Sequence, residues 1–245
     1  MATIRGAIFD LGSTLIRRTG LELEREKCAA LAAWASSALD SPDGEALSAR
    51  LLEIRLEGWR RSGAELVEYL GTWAIAKAFQ ATGLPTDEAT LRRAEAAFFR
   101  PEVRASRLYP WVHESLDALV AMGLRLALIS NATSHQLVVD IAEAHDIARY
   151  FDPLVTSAGF GRPKPHQGIF MHVLDSWAIA PADAVMVGDT LGADILGAER
   201  AGMRSILVDI EPNPDNPRFA GRVRPTARVT SLRDIPAILE AWNGA

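Results

Sequence analysis

The chain has 245 residues, of which 49% are hydrophobic and 23% are charged. This balance is typical of a globular protein and excludes an intrinsically disordered chain. The formal net charge is -5, and no long run of Lys and Arg indicates nucleic acid as a partner. No apolar stretch approaches the roughly 20 residues of a spanning helix, and no signal-peptide segment is visible at the N-terminus. We therefore expect a cytoplasmic protein without a membrane partner. A single cysteine, Cys28, excludes an internal disulfide.

The first part of the chain predicts one strand followed by helices. Residues 1–16 contain a short apolar run that ends at Asp10 and leads into a turn. Residues 17–107 are rich in the strong helix formers Ala, Leu, Glu and Arg, and their apolar positions recur at helical spacing. Breaks near residues 40–44, 62–63 and 83–87 predict about four helices, with Asp43 and Asp87 as N-caps.

Strands and helices alternate from about residue 108 onward. In chain order, the pattern predicts strand 124–129, helix 134–145, strand 153–156, helix 166–177, strand 185–187, helix 192–201, strand 205–208 and helix 232–242. This alternation indicates a parallel sheet with helices on both faces. Residues 211–217 are rich in turn formers and predict a surface loop, to which we assign no chemistry.

Polar residues follow several of the predicted strands. Asp10 ends the first apolar run, Ser130 and Asn131 end the second, and Asp189 ends the run at residues 184–187. Lys164 lies between two prolines, in a chain that otherwise prefers Arg. Because parallel strands bring their carboxyl ends to one edge of a sheet, we expect these side chains to converge on one site.

Four ordered motifs carry a resemblance to a known family. They are FDLGSTL at positions 9–15, ISN at 129–131, GRPKP at 161–165, and VGDT at 187–190 with Asp194 following. Together they resemble the haloacid-dehalogenase-like hydrolase superfamily, in the branch that has a helical cap inserted after the first strand. The resemblance covers nearly the full chain. It implies a Rossmann-like, doubly wound core of residues 1–16 and 108–245 and an all-helical cap of residues 17–107.

The resemblance implies a Mg²⁺-dependent phosphatase that acts on a small soluble phosphorylated metabolite. In such an enzyme Asp10 is the nucleophile and forms an aspartyl phosphate. The metal ligands implied are carboxylate oxygens of Asp10 and Asp189 and the backbone carbonyl of Gly12. Asp194 would bind the metal through water or orient Lys164.

The remaining implied roles concern the phosphate group. Ser130 would donate to a phosphate oxygen, and Lys164 would neutralise phosphoryl charge and pair with Asp10. Asn131 and the backbone amides of Ser13 and Thr14 would also line the phosphate. Taken singly, several of these residues have simpler explanations, since an Asp or Ser that follows a strand is often only a helix N-cap.

One position departs from the family pattern. The phosphatases of the family usually carry a second Asp two residues after the nucleophile, where this chain has Gly12. That Asp normally acts as general acid and base, a contribution typically of about 10²–10⁴-fold. The acid can come instead from water or from a cap carboxylate among Glu22, Glu24 and Glu26. The substrates can also be phosphates with good leaving groups, or the protein can be a weak catalyst that mainly binds a phosphorylated ligand in a regulatory role.

Two further activities of the superfamily do not need this Asp. Enzymes that cleave carbon–phosphorus bonds use a cap lysine, for which Lys27 and Lys77 are the candidates here. Haloacid dehalogenation needs no metal, whereas the Gly188-Asp189 pair indicates one. The sequence leaves the substrate open, and both a monomer and a homodimer remain possible.

Overall fold

The computed structural model describes residues 3–17, 19–41, 43–65 and 69–244. Its strands are β1 (Gly6–Phe9), β2 (Arg125–Ser130), β3 (Leu154–Thr156), β4 (Ala184–Gly188), β5 (Arg204–Val208) and β6 (Ala227–Val229). Its α-helices are α1 (Leu21–Ala38), α2 (Gly44–Glu65), α3 (Gly71–Thr82), α4 (Glu88–Ala105), α5 (Val112–Ala121), α6 (His135–Ala144), α7 (Ser157–Phe160), α8 (Gln167–Trp177), α9 (Leu196–Ala201) and α10 (Ile235–Asn243). None of these helices is long and apolar enough to cross a membrane.

The strands of the described chain form one parallel sheet in the order β3-β2-β1-β4-β5-β6. β1 is central, and its Ile8 pairs with Ala127 of β2 on one side and Met186 of β4 on the other. Every residue of β1 and β4 is buried, as expected for strands that are covered on both faces. The predicted doubly wound parallel sheet is confirmed. β6 was not predicted, because its three residues include only one that is fully buried.

One face of the sheet packs on α8 through a buried apolar cluster. Ile8, Ala127 and Met186 of the sheet contact Phe170 and Val173 of the helix, and none of the five is exposed. Burial of such side chains stabilises the fold by about 1.5–3 kcal/mol for each large one. The cluster joins β1, β2 and β4, the strands whose carboxyl ends carry the predicted polar residues.

The chain divides into two compact units. Thr19–Ser106 and Ala132–Ile141 form one, which we call the helical unit, and the remaining described residues form the other, which we call the sheet unit. Within the helical unit, the Gly71 amide donates to the Thr133 carbonyl of the short segment 132–141 at 2.8 Å.

Local signals in the helical unit explain where its helices begin. Asp43 accepts a hydrogen bond from the Ala46 amide at 2.8 Å, and Asp87 accepts one from the Thr90 amide at 3.0 Å. Both predicted N-caps are therefore confirmed. The break predicted near residues 62–63 comes later, since α2 continues to Glu65. A glycine inside a helix costs only about 1 kcal/mol relative to alanine, which tertiary packing readily offsets.

Candidate active site

Three of the predicted site residues lie side by side because of the direction of their strands. Asp10 directly follows β1, Ser130 is the last residue of β2, and Asp189 directly follows β4. β1 pairs in parallel with both neighbours, so the three carboxyl ends share one edge of the sheet. The Asp10 amide extends this pairing by donating to the Val187 carbonyl at 2.9 Å.

Lys164 lies between α7 and α8, and its ammonium group has three oxygen neighbours. The Nζ atom lies 2.6 Å from Oδ1 of Asp10, 2.7 Å from Oδ1 of Asp194 and 2.8 Å from the Ile129 carbonyl oxygen. Burial by itself would lower the pKa of Lys164, but the carboxylates of Asp10 and Asp194 outweigh it and raise the pKa. Lys164 is therefore a buried, permanent positive charge at this edge of the sheet.

Asn131 is placed against the backbone of Lys164. Its side-chain Oδ1 accepts from the Lys164 amide at 2.8 Å, and its Nδ2 donates to the Lys164 carbonyl at 2.9 Å. This reciprocal pair joins the end of β2 to the loop that carries the lysine. Asn131 thus contributes to the site by holding Lys164, and its direct contact with a phosphate stays a prediction.

The turn after β1 surrounds the Asp10 carboxylate. The fully buried Thr14 hydroxyl lies 3.2 Å from Oδ2 of Asp10 and donates to it, a contact that the sequence did not predict. The Ser13 amide donates to the Ile16 carbonyl at 2.8 Å, and the Thr14 amide is 3.3 Å from the Leu11 carbonyl. Both amides therefore have backbone acceptors within the turn. Their predicted contact with a phosphate stays a prediction.

Three buried carboxylates form a candidate metal centre. Asp10, Asp189 and Asp194 each offer an oxygen, and these oxygens lie within 4.8 Å of one another. Burial, reinforced by the charge of Asp10, raises the pKa of Asp189 to about 6. Burial also raises the pKa of Asp194 to about 7, although Lys164 opposes it. One ammonium therefore does not balance three carboxylates, and a divalent cation with oxygen ligands fits the remaining charge.

Gly188 explains how Asp194 approaches the end of β4 so closely. A Cβ atom at position 188 would overlap the carboxylate of Asp194. The same carboxylate accepts from the Thr190 amide at 2.9 Å through Oδ2. The absence of a side chain at Gly188 is thus a requirement of the site, and it accounts for the Gly-Asp pair in the sequence.

These residues line a cavity of about 310 Å³, which lies at the small end of the roughly 300–1,000 Å³ found for small-molecule sites. The cavity is lined by Asp10, Gly12, Ser13, Ser130, Asn131, Lys164, Asp189, Thr190, Ala193, Asp194 and Asn213. All predicted site residues except Thr14 therefore face one cavity, and Thr14 lies directly behind Asp10. The volume admits a small molecule.

Asn213 was missed by the sequence analysis, which assigned no chemistry to residues 211–217. Its Nδ2 donates to Oδ2 of Asp189 at 2.6 Å. The loop containing it follows β5, and β5 is the neighbour of β4 in the sheet. The signal that could have identified it is this position beyond the carboxyl end of a core strand.

The candidate lysines of the helical unit differ in their surroundings. Lys27 is buried, with Nζ 2.8 Å from Glu24 and 2.7 Å from Glu102, while Arg55 binds the other oxygen of Glu24 at 2.7 Å. The Nζ atom of Lys27 is thus engaged in ion pairs with two carboxylates and is not free to attack a carbonyl group. Lys77 is exposed on α3.

Comparisons with known proteins identify a matching family and two phosphatase relatives. Residues 4–202 match the family described as haloacid dehalogenase-like hydrolase. The phosphoserine phosphatase of Thermus thermophilus is 30% identical over 240 residues, which cover 94% of this chain and 90% of that protein. The phosphoglycolate phosphatase of Escherichia coli K12 is 31% identical over 218 residues, covering 83% of this chain and 80% of that protein.

A solved structure shares the fold over nearly the whole chain. The 2-haloacid dehalogenase from Pseudomonas syringae superposes with a TM-score of 0.74 at 24% identity, covering 98% of this chain and 100% of that one. At this level of identity the likeness concerns the fold alone. The family match and the two phosphatase relatives show family membership as well: the chain belongs to the haloacid dehalogenase-like hydrolases.

Proposed function

We propose that this hydrolase is a Mg²⁺-dependent phosphatase that acts on a small phosphorylated metabolite through an aspartyl phosphate on Asp10. One observation carries the proposal. The Asp10 carboxylate is buried at the carboxyl edge of the sheet, in contact with Lys164 and within 4.8 Å of the carboxylate oxygens of Asp189 and Asp194. A nucleophilic carboxylate needs positive charge nearby before it can approach an anionic phosphate. Here Lys164 would supply one positive charge, and a cation held by the carboxylates would supply more.

The chain itself offers the ligands for the metal. In the proposed site, Asp10, Asp189 and the Gly12 carbonyl would hold Mg²⁺, with Asp194 in support. Bound there, Mg²⁺ would supply positive charge that screens the phosphate from the carboxylates. Gly12 keeps a backbone carbonyl at the position where the family pattern would have Asp, so a glycine there would leave this ligand in place.

The proposed reaction has two steps. An oxygen of Asp10 attacks phosphorus, the bond from phosphorus to the leaving oxygen breaks, and that oxygen takes a proton from water. A water molecule then attacks the aspartyl phosphate and loses its proton to solvent, which releases inorganic phosphate and restores the carboxylate. Throughout, Lys164 and the Ser130 hydroxyl would stabilise the charge on the phosphoryl oxygens.

Gly12 affects the first step. Apart from Gly12 itself and its two chain neighbours, no heavy atom of the described residues lies within 4 Å of the position that a Cβ of Gly12 would take. Glu24, one of the cap carboxylates that could substitute for the acid, is bound to Lys27 and Arg55. We therefore infer that water protonates the leaving group. Substrates whose leaving groups need little protonation should be hydrolysed faster than alkyl phosphates.

The relatives indicate which substrates to test first. The names of the two phosphatases specify phosphoserine and phosphoglycolate, which are both small phosphate monoesters that carry a carboxylate. A cavity of about 310 Å³ admits molecules of this size. We propose small phosphorylated carboxylic acids as the first substrate class, and because their leaving groups are alkyl alcohols we expect them to be hydrolysed more slowly than an aryl phosphate.

A second candidate function follows from the same glycine. Without the general acid, the chain could bind a phosphorylated ligand and turn it over only weakly, in a regulatory role. Carbon–phosphorus bond cleavage and dehalogenation have less support. The ion pairs of Lys27 oppose carbon–phosphorus bond cleavage by that lysine, and the buried Asp189 opposes a metal-free dehalogenase.

Phosphate release distinguishes these functions. The purified protein is assayed with an aryl phosphate, phosphoserine and phosphoglycolate, with and without Mg²⁺. Mg²⁺-dependent release that is lost in Asp10→Asn, but retained in Asp87→Asn, would support the phosphatase; the control is conservative because Asn replaces Asp well at an N-cap. Thermal stabilisation by a phosphorylated ligand without turnover would support the binding protein instead.

A further inference from the structure

Two asparagines of the loop after β5 fasten the segment that carries Asp189. Asn213 contacts the side chain of Asp189, and Asn216 contacts the backbone on both sides of Thr190. Both asparagines lie in the turn-rich stretch 211–217. In sequence, the residues joined by these three hydrogen bonds are 24 to 27 positions apart.

Asn213 completes a ring of hydrogen bonds around one carboxylate. Its Nδ2 donates to Oδ2 of Asp189 at 2.6 Å and also lies 3.2 Å from the Thr190 hydroxyl oxygen. That hydroxyl in turn donates to Oδ1 of Asp189 at 3.2 Å. Each carboxylate oxygen therefore has one donor, which fixes the rotation of the carboxylate while lone pairs remain for a cation.

Asn216 bridges two peptide groups of the same segment. Its Oδ1 accepts from the Leu191 amide at 2.7 Å, and its Nδ2 donates to the Asp189 carbonyl at 2.9 Å. These two hydrogen bonds hold the backbone where β4 is followed by the π-helical turn Leu191–Ile195, which contains Asp194. Both carboxylates thus emerge from a backbone that Asn216 holds in place.

The loop is itself anchored by packing. Phe219 lies against Gly192 so closely that a Cβ at Gly192 would overlap the aromatic ring. Phe219 also packs against the buried cluster of Leu191 and Ile195. The asparagines are therefore carried by a segment that rests on the same turn they bind.

We propose that Asn213 and Asn216 are positioning residues of the metal site: Asn213 orients the Asp189 carboxylate, and Asn216 sets the backbone between Asp189 and Asp194. The inference rests on the proposed function, because it assumes that these carboxylates bind Mg²⁺. Groups that orient metal ligands typically lower metal affinity by about 10–100-fold when they are removed.

The test is Mg²⁺ binding to the full chain without substrate, measured by isothermal titration calorimetry. Asn213→Ala and Asn216→Ala should each bind Mg²⁺ about 10–100-fold more weakly than the parent. In phosphatase assays, Asn213→Ala should need more Mg²⁺ for half-maximal rate and recover most of its kcat at saturating Mg²⁺. Should Asn213→Ala not fold, Asn213→Leu replaces it, because leucine has a similar shape and no donor.

Asn243 provides a matched control. Its side chain also makes two backbone hydrogen bonds, to the Ile4 amide at 2.6 Å and the Ile4 carbonyl at 3.1 Å. Ile4 precedes β1, so these two hydrogen bonds lie at the edge of the sheet opposite the site. Asn243→Ala should lower the melting temperature and leave Mg²⁺ affinity unchanged.

The outcomes separate the two proposals. A parent chain that binds Mg²⁺, with Asn213→Ala binding it equally or more tightly, would overturn the positioning role and leave the phosphatase proposal standing. A parent chain that binds no Mg²⁺ would overturn the metal site and this inference together. Weaker binding in the two site variants, but not in Asn243→Ala, supports the metal site and the positioning role.

Discussion

Lys164 and Asp194 form an ion pair that is almost completely removed from solvent. Their charged atoms lie 2.7 Å apart, and only 2% and 1% of the two side chains are exposed. A buried charge that loses its partner is costly, so each residue depends on the other to remain ionised. The pair ties the loop before α8 to the turn after β4, and it makes the charge at position 164 both a structural and a chemical requirement.

The first prediction concerns the shape of the charged group at position 164. Lys164→Arg should lower kcat/KM for an aryl phosphate by at least about 100-fold, the typical loss when one group that stabilises transition-state charge is removed. Three oxygens surround Nζ at 2.6–2.8 Å, and the planar guanidinium is too wide for this space. Steady-state kinetics measures the effect. Lys77→Arg, on an exposed lysine, should keep the activity of the parent; wild-type rates in Lys164→Arg would contradict the argument.

The second prediction restores the missing acid. Gly12→Asp should raise kcat for phosphoserine by at least about tenfold and change the rate for an aryl phosphate much less, because general acid help of about 10²–10⁴-fold matters most for poor leaving groups. The position that a Cβ of Gly12 would take is open. Gly12→Asn serves as the control of equal size without an acid. A parent that already hydrolyses alkyl and aryl phosphates equally fast, with no gain in Gly12→Asp, would show that Gly12 does not limit the chemistry.

The third prediction is a pH dependence in the helical unit. Burial would raise the pKa of Glu24, but Arg55 and Lys27 outweigh it and lower the pKa from its ordinary value of 4.5. The ionised carboxylate therefore stabilises the folded state fully above pH 4.5, and this stabilisation is lost as the pH falls through the lowered pKa. Glu24→Gln should reduce the free energy of unfolding at pH 7 by about 3–5 kcal/mol, as when one partner of a buried ion pair is removed.

Urea denaturation at several pH values measures this difference. The difference in free energy of unfolding between Glu24→Gln and the parent should become progressively smaller below pH 4.5. Glu88→Gln provides the comparison, because its pair with Arg92 is exposed and contributes little. A gap that stays constant down to about pH 3 would mean that the charge of Glu24 is not what stabilises the unit.

The fourth prediction concerns the single cysteine. Burial, with the charge of Glu24, raises the pKa of the Cys28 thiol to about 12, and only 1% of the residue is exposed. The thiolate is the reactive form, so Cys28 should react with Ellman's reagent at about pH 8 only after the chain unfolds. The absorbance of the released thionitrobenzoate measures this. Rapid reaction of one thiol in the native protein would show that the helical unit opens around α1.

Sequence reasoning predicted most of the elements because their signals are local. The apolar run before Asp10 and the capping residues Asp43 and Asp87 each report on a few neighbouring positions, and the structure has the corresponding strand and caps. β6 was missed because three partly exposed residues give too weak a pattern. The break after α2 was placed too early because Ser and Gly are tolerated inside a helix that packs on neighbours.

The candidate site shows the same division between local and distant contacts. The sequence by itself determined which polar residues end the core strands, since a buried parallel strand needs a continuous apolar run and its end is visible as a polar residue. It thereby determined that Asp10, Ser130 and Asp189 would share an edge.

Only the tertiary structure decided how those residues are held. The Asn131 side chain pairs with the Lys164 backbone, and Asn213 binds the carboxylate of Asp189. These contacts join segments 33 and 24 residues apart, and no spacing rule relates such positions. Their existence depends on where the loops after neighbouring strands pass over the sheet edge, which is settled by packing across the whole core rather than by the residues next to them in the chain.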